Sequence, residues 1–214
     1  MIDLYSIGTP NGQKITIALE EMGIPYTAHV VDFRKGEQFN PNFLKISPNN
    51  KIPAIVDQEN GLSLFESGAI LQYLADKTGK LIPPRNSIEY YQVIQWLSWQ
   101  IAGLGPMTGQ VGFFFKYCTH DVPVGKERYL NETKRLWSVL EKHLADGNKH
   151  FVVGNDLTIA DVAIFPWLRA YKFYSNEHVT EALSLEKHPH IKGYIERIEQ
   201  RPAVQKGLVV TPFP

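Results

Sequence analysis

The sequence predicts an α/β domain followed by an all-α domain. Over the first third of the 214 residues, short apolar segments typical of strands alternate with segments of helical periodicity. Beyond Pro83-Pro84 the strand-like pattern nearly disappears and helical periodicity continues. A chain of this length accommodates two compact domains, each with its own core. We therefore expect a first domain at residues 1–80, a linker at 81–86 and a helical domain at 87–214.

The first domain opens with a β-α-β unit. One strand is predicted at Asp3–Ile7 and a second at His29–Val31. Gly23 precedes the second strand and suits the end of a helix, because glycine adopts a positive φ without a Cβ penalty. Between the strands, helical periodicity places four apolar residues on one face: Ile15, Ala18, Leu19 and Met22.

The remainder of the first domain predicts a short helix, a hairpin and a longer helix. Asn60-Gly61 separates the two strands of the hairpin, and both of these residues tolerate the positive φ of a tight turn. The order β-α-β, short helix, β-β-α is that of a thioredoxin-like domain. The predicted elements are a helix at Pro41–Ile46, strands at Ala54–Val56 and Leu62–Phe65, and a helix that Ser67 caps and Gly79 closes.

The second domain predicts helices only. Thr158 and Asp161 form a capping-box pattern, in which each side chain accepts from the amide of the other residue. A last helix is predicted at Ile191–Arg201, where Pro202 stops it. One long helical stripe is formed by Tyr129, Thr133, Leu136, Trp137, Leu140 and Leu144.

Composition narrows the classes of partner and compartment. The 22 basic and 22 acidic residues balance without a basic block, so we expect neither a nucleic-acid nor a membrane partner. The N terminus lacks a secretory pattern, and no apolar stretch reaches the ~20 residues of a spanning helix. The single cysteine, Cys118, cannot form an internal disulfide, which favours a reducing cytoplasm. The seven histidines lack metal-ligand spacing, so no metal is expected.

Ile52-Pro53 comes directly before a predicted strand. A cis X–Pro bond costs only ~0.5–1 kcal/mol, and a cis proline here would expose the backbone of Ile52 to an extended peptide. An ordinary trans proline at the start of a strand is the other interpretation.

Glu66-Ser67 lies at the start of a predicted helix. Free amides and the helix dipole favour a ligand carboxylate there, and Glu66 can hold a ligand ammonium group. A plain helix cap explains the pair equally well if each residue is taken alone.

Thr9-Pro10-Asn11-Gly12 joins the first strand to the first helix. In a thioredoxin-like domain a sulfur lies at this turn, where helix amides, the Thr9 hydroxyl and the Asn11 amide can donate to a thiolate. An Asn N-cap followed by helix is the alternative.

Six segments together resemble a cytosolic glutathione transferase, and within that superfamily the bacterial Nu class. They are TPNGQKI (9–15), FRKGEQFNPNFLKISPNNKIPAIVD (33–57), LSLFESGAILQYLA (62–75), GLGPMTGQ (103–110), ERYLNETKRL (127–136) and LTIADVAIFPW (157–167).

The resemblance implies a role for nine residues. Thr9 and Asn11 would contact the glutathione sulfur. Gln38 and Lys51 would meet the glycyl carboxylate, and Ile52, beside cis-Pro53, would pair with the cysteinyl unit. Glu66 and Ser67 would bind the γ-glutamyl end. In the helical domain, Arg128 would contact a ligand carboxylate, with Arg135 as the alternative.

The resemblance also implies a mechanism without a protein cysteine. Tyr5 comes too early to be a catalytic tyrosine, and the turn at residues 9–12 contains no cysteine. Nu-class proteins resemble disulfide reductases that hold two glutathione thiols or one glutathione disulfide. We expect a homodimer with a small thiol, disulfide or electrophile as second substrate, and Cys118 as a partly buried bystander. Met107 and Phe113–Phe115 are candidates to line the apolar second-substrate pocket. A glutathione-binding regulatory module with negligible turnover is the alternative function.

Overall fold

The computed structural model describes residues 1–174 and 176–213. These residues form two compact units. The first unit comprises Met1–Ile82 and the chain from Glu199 onward, and the second comprises Pro83–Ile198.

The first unit contains a four-stranded mixed sheet. The strand order is β2-β1-β3-β4, with β1 parallel to β2 and β3 antiparallel to both of its neighbours. This topology confirms the predicted thioredoxin-like fold. The elements in chain order are β1 (Ile2–Ser6), α1 (Pro10–Met22), β2 (Tyr26–Val30), α2 (Pro41–Ile46), β3 (Ala54–Asp57), β4 (Leu62–Phe65) and α3 (Ser67–Thr78).

Strand β2 is longer than its sequence pattern indicates. It begins at Tyr26, three residues before the predicted start at His29, and runs in parallel register with all of β1, from Ile2 opposite Tyr26 to Ser6 opposite Val30. No residue of this edge strand is fully buried, so its first residues do not need to be strongly apolar. Pairing with β1 rather than burial therefore defines this strand.

The β3–β4 hairpin has a four-residue loop. The predicted hairpin forms: Asp57 pairs with Leu62, and of the two residues that tolerate a positive φ only Gly61 adopts one, of 73°. The Asp57 carboxylate explains the longer loop, because its Oδ1 accepts from the Glu59 amide at 3.0 Å. Tyr73 and Lys77 of α3 also contact this carboxylate, at 2.5 and 2.9 Å. Burial raises the pKa of Asp57, but these hydrogen bonds outweigh it and lower the pKa to about 2.

The second unit contains helices and no strand among its described residues, which confirms the predicted class. The capping box at the start of its central helix forms as expected, and that helix is buried along most of its length. None of the described helices has both the length and the apolar character needed to cross a membrane. Its α-helices are α4 (Ile88–Trp99), α5 (Gly105–Gly112), α6 (Pro123–Ala145), α7 (Ile159–Arg169), α8 (Glu177–Ala182) and α9 (Pro189–Glu199).

The last helix, α10 (Pro202–Gly207), belongs to the first unit. Pro202 ends no helix here: α9 has already ended at Glu199, and Pro202 begins α10 at a position where a missing amide costs nothing. The Thr16 hydroxyl donates to the Gly207 carbonyl at 2.6 Å, and a Cβ at Gly207 would lie 2.7 Å from Ile17 Cα. The final segment, which the sequence pattern groups with residues 87–214, thus packs on α1.

Candidate functional site

The turn before α1 is built to expose donors. Thr9 is the N-cap of α1, and its Oγ1 accepts from the Gly12 amide at 3.3 Å, so the N-cap is Thr9 and not Asn11. The Thr9 hydroxyl lies 3.5 Å from the Ile7 carbonyl, too far for a good hydrogen bond, so its proton can turn to a ligand. Gly12 allows α1 to approach β1 closely, since a Cβ there would lie 2.1 Å from the Ile7 oxygen. Asn11 follows the proline of the first turn and is half-buried.

The Ile52-Pro53 peptide bond is cis, as one of the two interpretations of the sequence predicts. The amide and carbonyl of Ile52 take no part in the backbone hydrogen bonds of the described residues, so both remain able to pair with an extended ligand. The adjoining residue is held in place by the buried Ser47, whose hydroxyl donates to the Lys51 carbonyl at 2.8 Å. Lys51 itself is exposed and can reach a carboxylate.

Glu66, the N-cap of α3, has an unusual conformation, and Ser67 is the first residue of that helix. Glu66 has φ 71° and ψ 112°, a positive-φ conformation that costs a non-glycine residue about 1–3 kcal/mol. Strain of this kind persists where surrounding structure enforces it, commonly at ligand sites. The result is an exposed Glu66 carboxylate beside the first amides of α3, so one segment offers an acceptor for an ammonium and donors for a carboxylate.

The sheet register brings these three segments to one end of the sheet. Tyr5, near the end of β1, pairs with Ala54, and Ala54 pairs with Phe65. The turn that follows β1, the Ile52-Pro53 segment that precedes β3 and the Glu66-Ser67 segment that follows β4 therefore lie together.

A residue that sequence reasoning missed connects two of these segments. Lys14 of α1 is only 2% exposed, and its Nζ donates to Ser67 Oγ at 3.2 Å. The sequence contains one indication that Lys14 is buried: it lies next to the apolar face of α1, one turn before Ile17 and Ala18. A lysine there is ordinarily interpreted as solvent-exposed.

Gln38 has unused hydrogen-bonding capacity. It lies in a short 3₁₀ turn, Glu37–Phe39, that packs on α2, which packs in turn on β3 and β4. The Gln38 Oε1 is buried and has no hydrogen-bond partner among the described residues. Buried polar atoms are normally satisfied, so this oxygen can accept from a ligand N–H, whereas a ligand carboxylate would need the Gln38 Nε2 as its donor.

The two arginines considered in the helical unit differ in their partners. Both line a groove of about 580 Å³ along α6, together with Met107, Val124, Glu127, Asn131 and Glu132. Arg135 makes a bidentate contact with Glu132, at 2.8 and 2.7 Å. Arg128 is exposed and makes no hydrogen bond or ion pair with the residues described, so its guanidinium is the one available to a ligand carboxylate.

The residues considered for the second-substrate pocket also differ in where they lie. Met107 lines the α6 groove, whereas Phe113–Phe115 do not. Phe114 instead stacks on Tyr129, with ring centroids 5.3 Å apart. Cys118 is half-buried, and its thiol donates to the His120 carbonyl at 3.3 Å.

Two family domains and a close relative identify the chain. Residues 1–76 match the glutathione S-transferase N-terminal domain, and residues 108–202 match the glutathione S-transferase C-terminal domain. The chain is also 46% identical over 214 residues to the disulfide-bond oxidoreductase YfcG of Escherichia coli (strain K12), and the match covers 98% of this chain and 95% of that protein. The chain belongs to the glutathione S-transferase family. The resemblance inferred from the six sequence segments is thereby confirmed.

Solved structures of other glutathione transferases share the fold and contain glutathione. A family member from Pseudomonas fluorescens with two glutathione bound has 48% identity and a TM-score of 0.91, covering 97% of this chain and 92% of that one. A glutathione transferase from Pseudomonas putida, with one glutathione disulfide bound per subunit, has 42% identity and a TM-score of 0.90, covering 98% of this chain and 91% of that one.

Proposed function

We propose that this chain is a glutathione-dependent thiol–disulfide oxidoreductase that can also transfer glutathione to electrophiles. The observation that carries the proposal is the meeting of three segments at one end of the sheet: the Thr9–Gly12 turn, Ile52-Pro53 and Glu66-Ser67. Each matches a different part of glutathione, namely the sulfur, the cysteinyl backbone and the γ-glutamyl group. The glutathione and glutathione disulfide in related structures support the same ligand.

The reacting sulfur belongs to the ligand. A free thiol has a pKa of about 8.5, so only a few per cent is thiolate at pH 7. Donation from the Thr9 hydroxyl, the Asn11 amide and the first amides of α1 favours the thiolate, and a shift of two pKa units corresponds to ~2.7 kcal/mol. The thiolate attacks a disulfide, forming a glutathione mixed disulfide and releasing one thiolate. A second glutathione thiolate resolves the mixed disulfide, releasing the other thiolate and glutathione disulfide.

The other predicted site residues bind the rest of the ligand in this proposal. Lys51 and Gln38 contact the glycyl carboxylate, the former by charge and the latter by hydrogen bonding. Arg128 contacts a ligand carboxylate from the helical unit, and we assign it this role over Arg135 because Glu132 already holds Arg135.

Two activity assays, each with a different electrophile, test the proposed function. We expect glutathione-dependent reduction of hydroxyethyl disulfide, measured by coupled consumption of NADPH through glutathione reductase, together with slower conjugation of a chloronitrobenzene. Both reactions need the glutathione thiolate, but only the first needs a second thiol. Absence of both reactions in a protein that still binds glutathione disulfide would establish a binding module with negligible turnover and contradict the enzyme.

We further propose a cytoplasmic homodimer. The single cysteine is compatible with a reducing compartment, and the dimer is implied by the family resemblance. Size-exclusion chromatography with light scattering should give twice the 24.3 kDa mass of one chain. A mass of one chain at micromolar concentration would contradict the dimer.

A further inference from the structure

Lys14 is the most deeply buried cation described next to the ligand-binding segments. Its side chain is 2% exposed, and it runs beneath the first turn of α3, where Nζ lies 3.2 Å from Ser67 Oγ. Ser67 is itself 8% exposed. Lysine is almost never fully buried unless it is paired or has a special role, and nothing in the proposed chemistry of the Thr9 turn uses this one.

Glu66 is the carboxylate that acts electrostatically on Lys14. Other charged side chains around α1 are paired with one another. Burial lowers the pKa of Lys14 to about 7, and the field of Glu66 opposes this by raising it. On the side of α1 that faces α10, Glu21 pairs with Arg201 and Glu20 with Lys206. On the other elements packed against α1, Lys77 of α3 binds Asp57 and Glu59, and Asp3 of β1 binds His29.

The protonation state of Lys14 determines what Ser67 can do. An ammonium group has three donors and no acceptor, so it can only donate to Ser67 Oγ, and the Ser67 hydroxyl proton must then point elsewhere. A neutral amine has a lone pair and can accept the Ser67 proton. The charged form therefore always leaves the Ser67 hydroxyl available as a donor to a ligand carboxylate, whereas the neutral form can compete for that proton.

We propose that Lys14 is a positioning residue of the γ-glutamyl subsite, which acts through Ser67 and takes up a proton when a ligand α-carboxylate binds. The proposal rests on the proposed function, because the α-carboxylate is that of glutathione. Bringing a negative charge to the start of α3 favours the ammonium form of Lys14. Binding of the carboxylate and protonation of the lysine therefore strengthen each other, as linkage requires.

The linkage predicts that affinity falls as pH rises through 7. Below about pH 7 Lys14 is charged before the ligand arrives and no proton is taken up. Above that pH the lysine is neutral in the free protein, so binding either takes up a proton or proceeds with a neutral amine that competes with the ligand for the Ser67 proton. Calorimetric titration with S-methylglutathione, which has no titrating thiol, measures both effects. Repeating it in buffers of different ionisation enthalpy at pH 6.0, 7.0 and 8.0 gives the net proton uptake.

Lys14→Met separates a functional from a structural role, because methionine has nearly the same length and no charge. We expect Lys14→Met to weaken S-methylglutathione binding on the order of tenfold at pH 6.0 and to abolish the proton uptake of the wild type near pH 8. The melting temperature at pH 6.0 should change little, since the substitution removes the desolvation cost of a buried charge together with its hydrogen bond to Ser67 Oγ. Lys45→Met, which removes an exposed lysine of α2, should leave binding and its pH dependence unchanged.

A double-mutant cycle tests whether Lys14 acts through Ser67. In a Ser67→Ala background, Lys14→Met should cost much less affinity than in the wild type, because only the attraction between the Lys14 ammonium and the ligand carboxylate is left to lose. Wild-type affinity in Lys14→Met, or absence of proton uptake in the wild-type protein, would overturn the proposal while leaving the proposed function intact. The wild-type proton uptake does not depend on any variant folding. Failure of the wild-type protein to bind S-methylglutathione at any of these pH values would instead contradict the proposed function.

Discussion

Asn11→Ala is expected to lower kcat/KM for hydroxyethyl disulfide reduction roughly 10- to 100-fold, whereas Cys118→Ala should leave it within twofold. The magnitude for Asn11 is that of losing one hydrogen bond to a charged group, about 1.5–3 kcal/mol. Cys118 lies in the other unit, and its thiol donates to the His120 carbonyl two residues along the chain.

The pH profile distinguishes thiolate stabilisation from simple loss of binding. If Asn11 stabilises the thiolate, the pH at which kcat/KM reaches half its maximum should move upward in Asn11→Ala, because the bound thiol keeps its proton longer. Alanine is a strong helix former and suits the first turn of α1, so the melting temperature should change little. Asn11→Asp is the matched control, since it keeps the shape and places a negative charge beside the sulfur. We expect it to lose more activity than Asn11→Ala.

Equal activity losses in Asn11→Ala and Cys118→Ala would contradict a mechanism that uses only the ligand sulfur. A loss confined to Cys118→Ala would indicate a protein thiol as the resolving group. Both variants are assayed at the same saturating glutathione concentration, so that a change in glutathione affinity does not pass for a change in chemistry.

Features with a local cause could be predicted from the sequence. Gly23 closes α1 with φ 69°, and Thr158 with Asp161 forms the expected capping box. The cis bond at Pro53 is compatible with its sequence but follows from the fold around it. For Gly23 and for the capping box, the residue that determines the structure is within four positions of the structure it determines.

Features that depend on distant partners could not be predicted. Gly207 is required by its contact with Ile17, some 190 positions earlier in the chain, and no periodicity in α10 identifies α1 as the partner. Lys14 looks like a surface lysine in sequence, because its burial depends on α3 covering it. Arg128 and Arg135 are a local case, because both lie within four positions of Glu132 on α6 and the sequence does not show which of them binds its carboxylate. Only the side-chain contact of Glu132 distinguishes them.

Asp161→Ala should cause the largest loss of stability of any single substitution considered for this chain. Asp161 is completely buried at the start of α7, and burial raises the pKa of its carboxyl. Its Oδ2 accepts from the Thr158 amide and hydroxyl, each at 2.8 Å. Its Oδ1 accepts from the Val152 amide at 2.9 Å and from the Tyr194 hydroxyl of α9 at 3.0 Å. One side chain thus connects α7, the segment before it and α9.

Alanine at position 161 would leave buried donors without partners. Each buried donor without an acceptor costs about 1–3 kcal/mol. The Val152 amide, the Thr158 amide and the Tyr194 hydroxyl would all lose their acceptor together. We therefore expect the free energy of unfolding to fall by at least ~3 kcal/mol, a large share of the 5–15 kcal/mol of an ordinary domain. Asp161→Asn should lower the free energy of unfolding by less, because the amide oxygen can still accept some of these hydrogen bonds.

Urea unfolding followed by tryptophan fluorescence measures this loss in the unit concerned, because all four tryptophans lie between residues 83 and 198. The midpoint should move to lower urea with an unchanged slope. Asp156→Ala is the matched control: this exposed aspartate lies in the same connecting segment, and its removal should change stability by no more than ~0.5 kcal/mol. A midpoint in Asp161→Ala equal to that of Asp156→Ala would show that the buried carboxylate does not hold α7 and α9 together. Because Asp161 of α7 accepts from donors in two other segments, its loss should loosen all three segments at once rather than fray the end of α7 alone.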